Sequence, residues 1–206
     1  MKRKINEFVA QLPYSALALV LIGACPSRIL AQDGHSHTST QQHDVTAEQQ
    51  KKAGELVKIV RKATERFKDV SRAEYEGYAL QFGCVSGPDS GAMGLHFVNG
   101  DILNRGELDP EHPQIVIYEP APNGTLRLIG ADFLVFAEAW DKKNQGPPEL
   151  MGQLFHYFEF PNRFGLPAFY TLHVWAWKDN PNGAFVNWHP NVSCESFSSR
   201  NPWSPR

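Results

Sequence analysis

The sequence predicts an α+β fold, with N-terminal helices followed by a mainly antiparallel sheet of about six strands. Apolar residues recur at helical spacing between residues 46 and 78. After residue 94, apolar and polar residues alternate in short runs, and turn signals such as Asn123-Gly124 separate them. Helices that precede an antiparallel sheet, rather than alternating with its strands, define the α+β class. A sheet of this kind is compatible with a curled, half-barrel form.

Residues 1–31 have the pattern of a secretory signal peptide. A basic start at residues 2–4 precedes an uncharged apolar run over residues 14–24, which is shorter than the roughly 20 residues of a membrane span. Cleavage after Ala31 fits a signal-peptidase site, whereas an Ile-Gly-Ala-Cys run resembles a lipobox that would make Cys25 a lipidated residue. The sequence predicts an exported, periplasmic or secreted protein with no transmembrane span in the mature chain. An envelope lipoprotein is one alternative, and a leader that is retained as a membrane anchor is the other.

The charge of the mature chain argues against nucleic-acid binding. Removal of residues 1–31 takes away four basic residues and one acidic residue, which changes the formal net charge from −2 to −5 (Lys2, Arg3, Lys4, Arg28 and Glu7). Affinity for nucleic acid depends mostly on neutralisation of phosphates by Lys and Arg. We therefore expect a small ligand or a metal ion as the partner, and no nucleic acid.

Cys84 and Cys194 are the cysteines that remain after the leader. An even pair in an oxidising compartment predicts a disulfide. The bond would close a loop of roughly 110 residues around the aromatic-rich part of the chain. A two-Cys metal or redox site is the alternative, but CxxC spacing is missing.

After the leader we expect a polar linker over residues 32–45, one globular domain over residues 46–196 and a loose tail over residues 197–206. The linker suits a flexible spacer, and it also carries three histidines that would bind metal weakly (His35, His37 and His43).

Two helices open the domain. Thr46 and Gln49 form a capping box, which predicts the start of an amphipathic helix that runs to about Lys68. A second, shorter helix is predicted over residues 69–78. Three of its side chains are expected to face inward (Ala73, Tyr75 and Tyr78).

The strands follow a glycine-rich segment, residues 83–94, which is predicted to be a loop. They are expected over residues 95–98, 114–119, 125–137 with a bulge near Gly130, 155–160, 170–177 and 184–188. The strand over residues 170–177 alternates most clearly. It places Leu172, Val174 and Ala176 on one face and His173, Trp175 and Trp177 on the other.

Polar side chains inside the predicted strands are the candidates for a functional site. The sequence contains no phosphate-binding loop, dinucleotide fingerprint, HExxH motif or GxSxG motif. Imidazole nitrogens, often with one carboxylate, are ligands for a divalent metal such as Zn or Cu. A curled sheet would bring such side chains together on its concave face. The candidate ligands are His96, Glu119, His156 and His173.

Each of these histidines has a structural alternative, in which the imidazole is a hydrogen-bonded packing residue. For His173 the alternative is stacking with Trp175 and Trp177, and for His189 it is the capping of a turn. Four tryptophans also suit the lining of an apolar or carbohydrate-binding pocket (Trp140, Trp175, Trp177 and Trp188).

Four separated segments resemble motifs of a family of exported bacterial proteins of unassigned function. They are residues 91–99 (GAMGLHFVN), residues 118–120 (YEP) before a hairpin, residues 172–177 (LHVWAW), and residues 180–183 (NPNG) followed by Cys194. The likeness extends over about residues 65–195. It implies an exported domain and no specific activity. His189 lies where similar proteins are expected to have Asn, which weakens it as a ligand.

These observations favour a binding module, with a pocket lined by aromatic side chains and His residues that holds a ligand or a metal. One alternative is an enzyme, a metal-dependent hydrolase or oxidase that acts through metal-bound water. The other is a structural or envelope-interaction protein in which the histidines only pack.

Overall fold

The structure, a computed structural model, describes residues 45–197. These residues form the predicted α+β fold, with helices ahead of a six-stranded antiparallel sheet that curls into a half-barrel. They belong to one compact unit. The predicted signal peptide with Cys25, nearly all of the linker and the tail after Phe197 lie outside the described residues. Within residues 45–197, no helix combines the length and the apolar character needed to cross a bilayer.

The first helix, α1 (Ala47–Thr64), begins as predicted. The Thr46 hydroxyl accepts a hydrogen bond from the Gln49 backbone N–H at 3.2 Å, and the Gln49 side chain accepts one from the Thr46 N–H at 2.8 Å. A 3-10 turn (Glu65–Lys68) and a short helix, α2 (Val70–Tyr75), follow.

One predicted side-chain direction in α2 is wrong. Ala73 and Tyr78 are buried as expected, but Tyr75 is 81% exposed. Residues two positions apart in a helix are separated by about 200° around its axis. Tyr75 therefore faces away from the side on which Ala73 packs.

The sheet has the order β1 (Tyr78–Gly87), β2 (Gly91–Asn99), β3 (Ile115–Pro120), β4 (Leu126–Phe136), β8 (Phe169–Val174) and β7 (His156–Phe158). Every neighbouring pair is antiparallel. The remaining elements are α3 (Gly100–Arg105), α4 (Ala137–Asp141) and a small hairpin of β5 (Glu149–Leu150) with β6 (Gln153–Leu154).

Two strand predictions are wrong. The expected loop over residues 83–94 consists largely of β1 and β2, which pair with each other through this segment. Its glycines are accommodated by an irregular register, with Phe82 and Gly83 both at φ +65° between two paired stretches. Residues 184–188 form no strand, and Ala184 contributes one backbone hydrogen bond, from the Trp175 N–H. The turn residues around this segment favour a loop.

The two faces of β8 match the predicted alternation as far as the strand extends. Leu172 and Val174 pack in one core cluster with Leu56 and Val60 of α1. His173 faces the opposite side of the sheet. The bulge expected near Gly130 is present, as a register shift of β4 at Ile129.

Trp177 departs from this alternation, because β8 ends at Val174. The N–H groups of Trp177 and Lys178 both donate to the Ile129 carbonyl, so the chain no longer continues as a regular strand. The Trp177 indole N–H donates to the Thr64 hydroxyl of α1 at 3.0 Å. Trp177 therefore lies on the helix side of the sheet, opposite His173.

The predicted disulfide between Cys84 and Cys194 is confirmed. It joins β1 to the C-terminal segment of the domain. The same segment pairs with β2 through reciprocal backbone hydrogen bonds between Ala92 and His189. Gly91 permits this approach, since a Cβ atom there would lie 2.2 Å from the His189 carbonyl oxygen. The disulfide and the bridge together hold the C-terminal segment against the sheet.

Candidate metal centre

Three buried side chains from three strands meet on the face of the sheet opposite α1. They are His96 of β2, Asp132 of β4 and His173 of β8, with exposed fractions of 6%, 3% and 2%. Each offers one potential ligand atom, and these atoms all lie within 4.8 Å of one another. Two imidazoles and a carboxylate within this distance form a donor set for a divalent metal.

Strand register places Asp132 beside His173. The two residues are direct cross-strand partners in the β4–β8 pair, so their side chains leave the same face of the sheet. His173 Nδ1 lies 3.6 Å from Asp132 Oδ1, which is longer than a hydrogen bond. The Thr171 hydroxyl donates to the same Oδ1 at 2.6 Å. Thr171 therefore fixes the orientation of the carboxylate next to the imidazole.

His96 approaches His173 on the Nε2 side of the His173 ring, whereas Asp132 lies near its Nδ1. The two Nε2 atoms are 3.4 Å apart, and the rings are nearly perpendicular at 78°. Two nitrogens bound tetrahedrally to one metal at about 2.0–2.1 Å are separated by roughly 3.3–3.4 Å. The pair thus already has the separation of two ligands of a tetrahedral metal.

Both imidazoles keep one nitrogen without a hydrogen-bond partner. His96 Nδ1, His173 Nδ1 and Asn187 Oδ1 are buried and make no hydrogen bond of good geometry among the described residues. The Gly94 backbone and the Asn187 side chain nevertheless lie close enough to oppose the lowering of the pKa of His96 and of His173, respectively. If the two Nε2 atoms share a hydrogen bond, one Nδ1 is left as a donor and the other as an acceptor. Buried polar groups in native proteins are nearly always satisfied, so we expect water or a small shift of the Asn187 amide to satisfy the two Nδ1 atoms, which leaves both Nε2 atoms for a metal.

Burial controls the protonation of all three groups. It lowers the pKa of His96 to about 4, with a further contribution from the charge of His173. Burial, together with the charge of His156, lowers the pKa of His173 to about 3. Burial raises the pKa of Asp132 to about 6, against the opposing effects of His96 and the Thr171 hydrogen bond. At neutral pH the imidazoles are neutral and the carboxylate is largely ionised, as metal ligands must be.

A small cavity adjoins the three side chains. Its space for the centres of water-sized molecules is about 30 Å³. The polar part of its wall is formed by the three candidate ligands and Thr171. The rest is apolar and consists of Phe82, Met93, Ile115, Leu134, Phe158, Phe164, Leu166 and Phe169. The space is far below the roughly 300 Å³ or more of a pocket for drug-sized ligands.

Glu119, a predicted ligand, does not belong to this group. It lies on β3, where it forms ion pairs with Lys178, at 2.7 Å, and with Arg127. Burial alone would raise its pKa, but the hydrogen bonds and charges of Lys178 and Arg127 lower it on balance. Both cations already satisfy this carboxylate, so it is engaged in structural ion pairs.

The two other histidines of the domain's second half do not belong to the group of three ligand atoms, although His156 is near enough for its charge to contribute to the low pKa of His173. His156 lies on the edge strand β7, is exposed, and its Nε2 is 3.3 Å from the Phe185 carbonyl. His189 is fully buried. Its Nδ1 accepts from the Asn191 N–H, and its Nε2 is 3.1 Å from the Asp179 carbonyl. Both nitrogens of His189 are thus satisfied, in agreement with its predicted role at a turn.

The four predicted pocket tryptophans do not converge. Trp175 is buried next to His173 and His189, with ring centroids 5.9 and 4.9 Å away, and its indole N–H donates to the Val186 carbonyl. Trp140 lies at α4, Trp177 contacts α1, and Trp188 packs near Gly87. The aromatic wall of the cavity is therefore made of phenylalanines, which the sequence reasoning had not selected.

Asp132 is the functional candidate that sequence reasoning missed. Glu119 was chosen as the acid inside a strand, although Asp132 lies in the middle of the predicted strand over residues 125–137. The signal was present, since Asp132 is the one charged residue between Leu128 and Phe136. A carboxylate within a continuous apolar run must be paired, protonated or bound to a metal.

Comparisons with known proteins add no further assignment: no protein-family model, no curated protein and no solved structure matches the chain.

Proposed function

We propose that this protein binds a divalent transition metal through His96, Asp132 and His173. The observation that carries the proposal is the 3.4 Å separation of two buried Nε2 atoms, which is the separation of two nitrogens on one tetrahedral metal. The convergence of one ligand atom from each of the three side chains within 4.8 Å and the low pKa values of both imidazoles support it. Neutral imidazoles need no deprotonation before they bind a metal, so affinity is retained at neutral pH.

The donor set limits which metals fit. Two imidazoles and one carboxylate suit Zn and Cu, and the same set binds Fe(II) in non-haem iron sites. Oxygen-only ions such as Mg and Ca prefer carboxylate, carbonyl and water ligands. Asp132 contributes either as a third ligand or by orienting His173 through its Nδ1, as carboxylates commonly do at metal-bound histidines.

An enzymatic role for the same site is the second candidate, and a specific observation favours it. Three protein ligands leave at least one coordination position open, and the cavity lies next to the ligand atoms. A metal held there by His96, Asp132 and His173 would lower the pKa of a bound water or polarise a carbonyl or phosphoryl oxygen of a substrate. The small cavity favours binding over the conversion of a large substrate, so metal binding remains the leading proposal.

We further propose that the protein acts outside the cytosol. The Cys84–Cys194 disulfide supports this, because structural disulfides persist in oxidising compartments. Mass spectrometry of the N-terminus of the mature protein tests it. A mature chain that starts at Gln32 supports cleavage after Ala31, a lipid on Cys25 supports an envelope lipoprotein, and an intact leader supports a retained membrane anchor. Recovery of the protein in the cytosolic fraction with the Cys84–Cys194 disulfide reduced would contradict export.

The metal proposal is tested on the full chain, purified without an affinity tag. Metal content is measured by elemental analysis, and affinity by calorimetric titration with Zn and Cu. The variants His96→Gln and His173→Gln should each weaken binding by roughly 100-fold or more, since each removes one ligand. The matched control is His112→Gln, which replaces an exposed histidine whose Nδ1 lies 2.8 Å from Asp109, outside the sheet.

The linker histidines are common to all of these chains, so their weak binding does not distinguish the variants. Equal metal binding by wild type, site variants and control would refute the proposal. Absence of any bound metal from the wild-type protein, with a melting temperature unchanged by added Zn and Cu, would refute it as well.

A further inference from the structure

The cavity beside the metal centre has a mostly apolar wall, which is not needed to hold a metal. Its polar wall contains the ligand atoms, and its other walls are the apolar side chains described above. We infer that the bound metal is redox-active and that it takes a neutral diatomic molecule, such as dioxygen, as an exogenous ligand in this cavity. The inference rests on the proposed metal site and adds the class of its second ligand.

Size is the first argument. One water needs roughly 10–15 Å³ of such space, so about 30 Å³ accommodates two or three heavy atoms beside the ligands. An amino acid or a sugar does not fit into this space. A molecule of two heavy atoms does.

Polarity is the second argument. An ion that enters a cavity with apolar walls loses hydration without gaining hydrogen bonds, apart from its bond to the metal. A neutral diatomic loses almost nothing. Thr171, the one hydroxyl in the wall, is already used as a donor to Asp132 at 2.6 Å. The walls therefore select against anions and in favour of small neutral molecules.

The aromatic packing of the cavity is the third argument. Phe158 and Phe169 are stacked, with ring centroids 5.0 Å apart and an interplanar angle of 2°. Phe164 contacts both of them edge-on, and Phe82 closes the outer side at 5.5 Å from Phe164. Phe82 is 45% exposed and holds its ring there from a backbone φ of +65°, a conformation that is rare for a bulky residue. Phe82, Phe158, Phe164 and Phe169 thus form a contiguous aromatic part of the cavity wall.

The neutral diatomic ligand restricts which metal can occupy the site. Zn has no redox chemistry and gives no stable adduct with a neutral diatomic, whereas Fe(II) bound by two imidazoles and one carboxylate has open positions for one. Fe(II) is therefore the metal with which the inference is tested, and nitric oxide is the probe. It is a neutral diatomic whose Fe(II) adduct has a characteristic electron paramagnetic resonance signal.

The experiment uses the full chain, loaded with Fe(II) without oxygen and titrated with nitric oxide. The wild-type protein should give one adduct per bound iron. Leu134→Phe and Leu166→Phe each add volume to the cavity wall and should weaken adduct formation at least tenfold while leaving the iron content unchanged. Leu166 lies in the segment between β7 and β8, where the backbone tolerates the larger side chain more easily than in β4. Leu126→Phe is the matched control, because Leu126 packs on the helix face of the sheet.

The outcomes separate the two proposals. Bound iron with no nitric oxide adduct, an equal adduct in the filled variants, or an adduct with azide in place of nitric oxide would overturn the diatomic ligand while leaving the metal site intact. Binding of Zn with no binding of Fe(II) would likewise overturn the diatomic ligand and leave the metal site intact. Absence of every metal from the wild type would overturn both.

Discussion

Nε2 of His96 lies 3.4 Å from Nε2 of His173, although the two residues are on strands that are three positions apart in the sheet. Three strand spacings of about 4.8 Å would keep β2 and β8 roughly 14 Å apart in a flat sheet. Side chains that stand perpendicular to a flat sheet do not cross that distance. The curl of the sheet is therefore what creates the metal centre, and any change that flattens it should abolish metal binding.

Replacement of Asp132 by Asn tests the role of the carboxylate. Asn keeps the shape and can still accept the Thr171 hydrogen bond, but it removes the negative charge next to His173. We expect the affinity for Zn or Cu to fall by about 10–100-fold, with the fold retained. Calorimetric titration measures the affinity, and circular dichroism verifies the fold. Thr171→Val is the control, because it removes the hydrogen bond that orients the Asp132 carboxylate but keeps the charge. An Asp132→Asn protein with wild-type affinity would exclude the carboxylate from the site.

Gly94 should tolerate no side chain, because it lies where β2 passes close to β3. A Cβ atom there would lie 2.6 Å from the Tyr118 carbonyl oxygen, and the backbone has φ +93°. Gly94→Ala should therefore lower the free energy of unfolding by roughly 2 kcal/mol or more. Urea denaturation measures this change.

The matched control for Gly94 is Gly54→Ala, in the middle of α1. No atom lies within 4 Å of a Cβ at Gly54. That substitution should stabilise the protein by about 0.5–1 kcal/mol, since Ala favours a helix over Gly. A Gly94→Ala protein as stable as the wild type would show that β2 and β3 do not approach each other this closely.

The disulfide should be a major source of stability. The bond joins residues separated by 110 positions, and a loop of this length corresponds to about 4–5 kcal/mol in the chain-entropy model. The double variant Cys84→Ser with Cys194→Ser should lose stability of this order in urea denaturation. Reduced wild-type protein should unfold at the same urea concentration as the double variant, and reductant should leave the variant unaffected. Equal stability of oxidised wild type and variant would contradict the prediction.

The ion pairs of Glu119 predict a pH dependence of stability. The pKa of Glu119 is lower in the folded protein than its ordinary value of 4.5, after burial is outweighed by Lys178 and Arg127. A carboxylate with a lowered pKa stabilises the fold at pH values above its unfolded pKa, and this contribution is lost as pH falls through the folded pKa. Glu119→Gln should therefore reduce the urea midpoint at pH 7, and the difference from the wild type should shrink progressively as the pH falls below 4.5. Urea midpoints for both proteins across this pH range provide the measurement, and a constant difference would argue against the ion pairs.

Much of the site was readable from the strand pattern. Alternation in residues 172–177 correctly separates Leu172 and Val174 from His173, because side chains on a strand face opposite sides in turn. It misplaces Trp177, since the strand ends at Val174 and backbone bonds to Ile129 replace the regular pairing. A local pattern contains no information on where pairing with a distant strand stops.

Local spacing and residue chemistry were enough to predict the α+β order, the start of α1 at Thr46, the Cys84–Cys194 bond and the faces of the central strands. They could not predict which acid belongs to the metal centre, because that depends on contacts between distant parts of the chain. Glu119 and Asp132 both lie within strands, but Glu119 meets Lys178, a cation 59 positions later in the chain, whereas Asp132 meets His173. The curl of the sheet and the path of the chain after β8 set these partners, and both result from the packing of the whole domain.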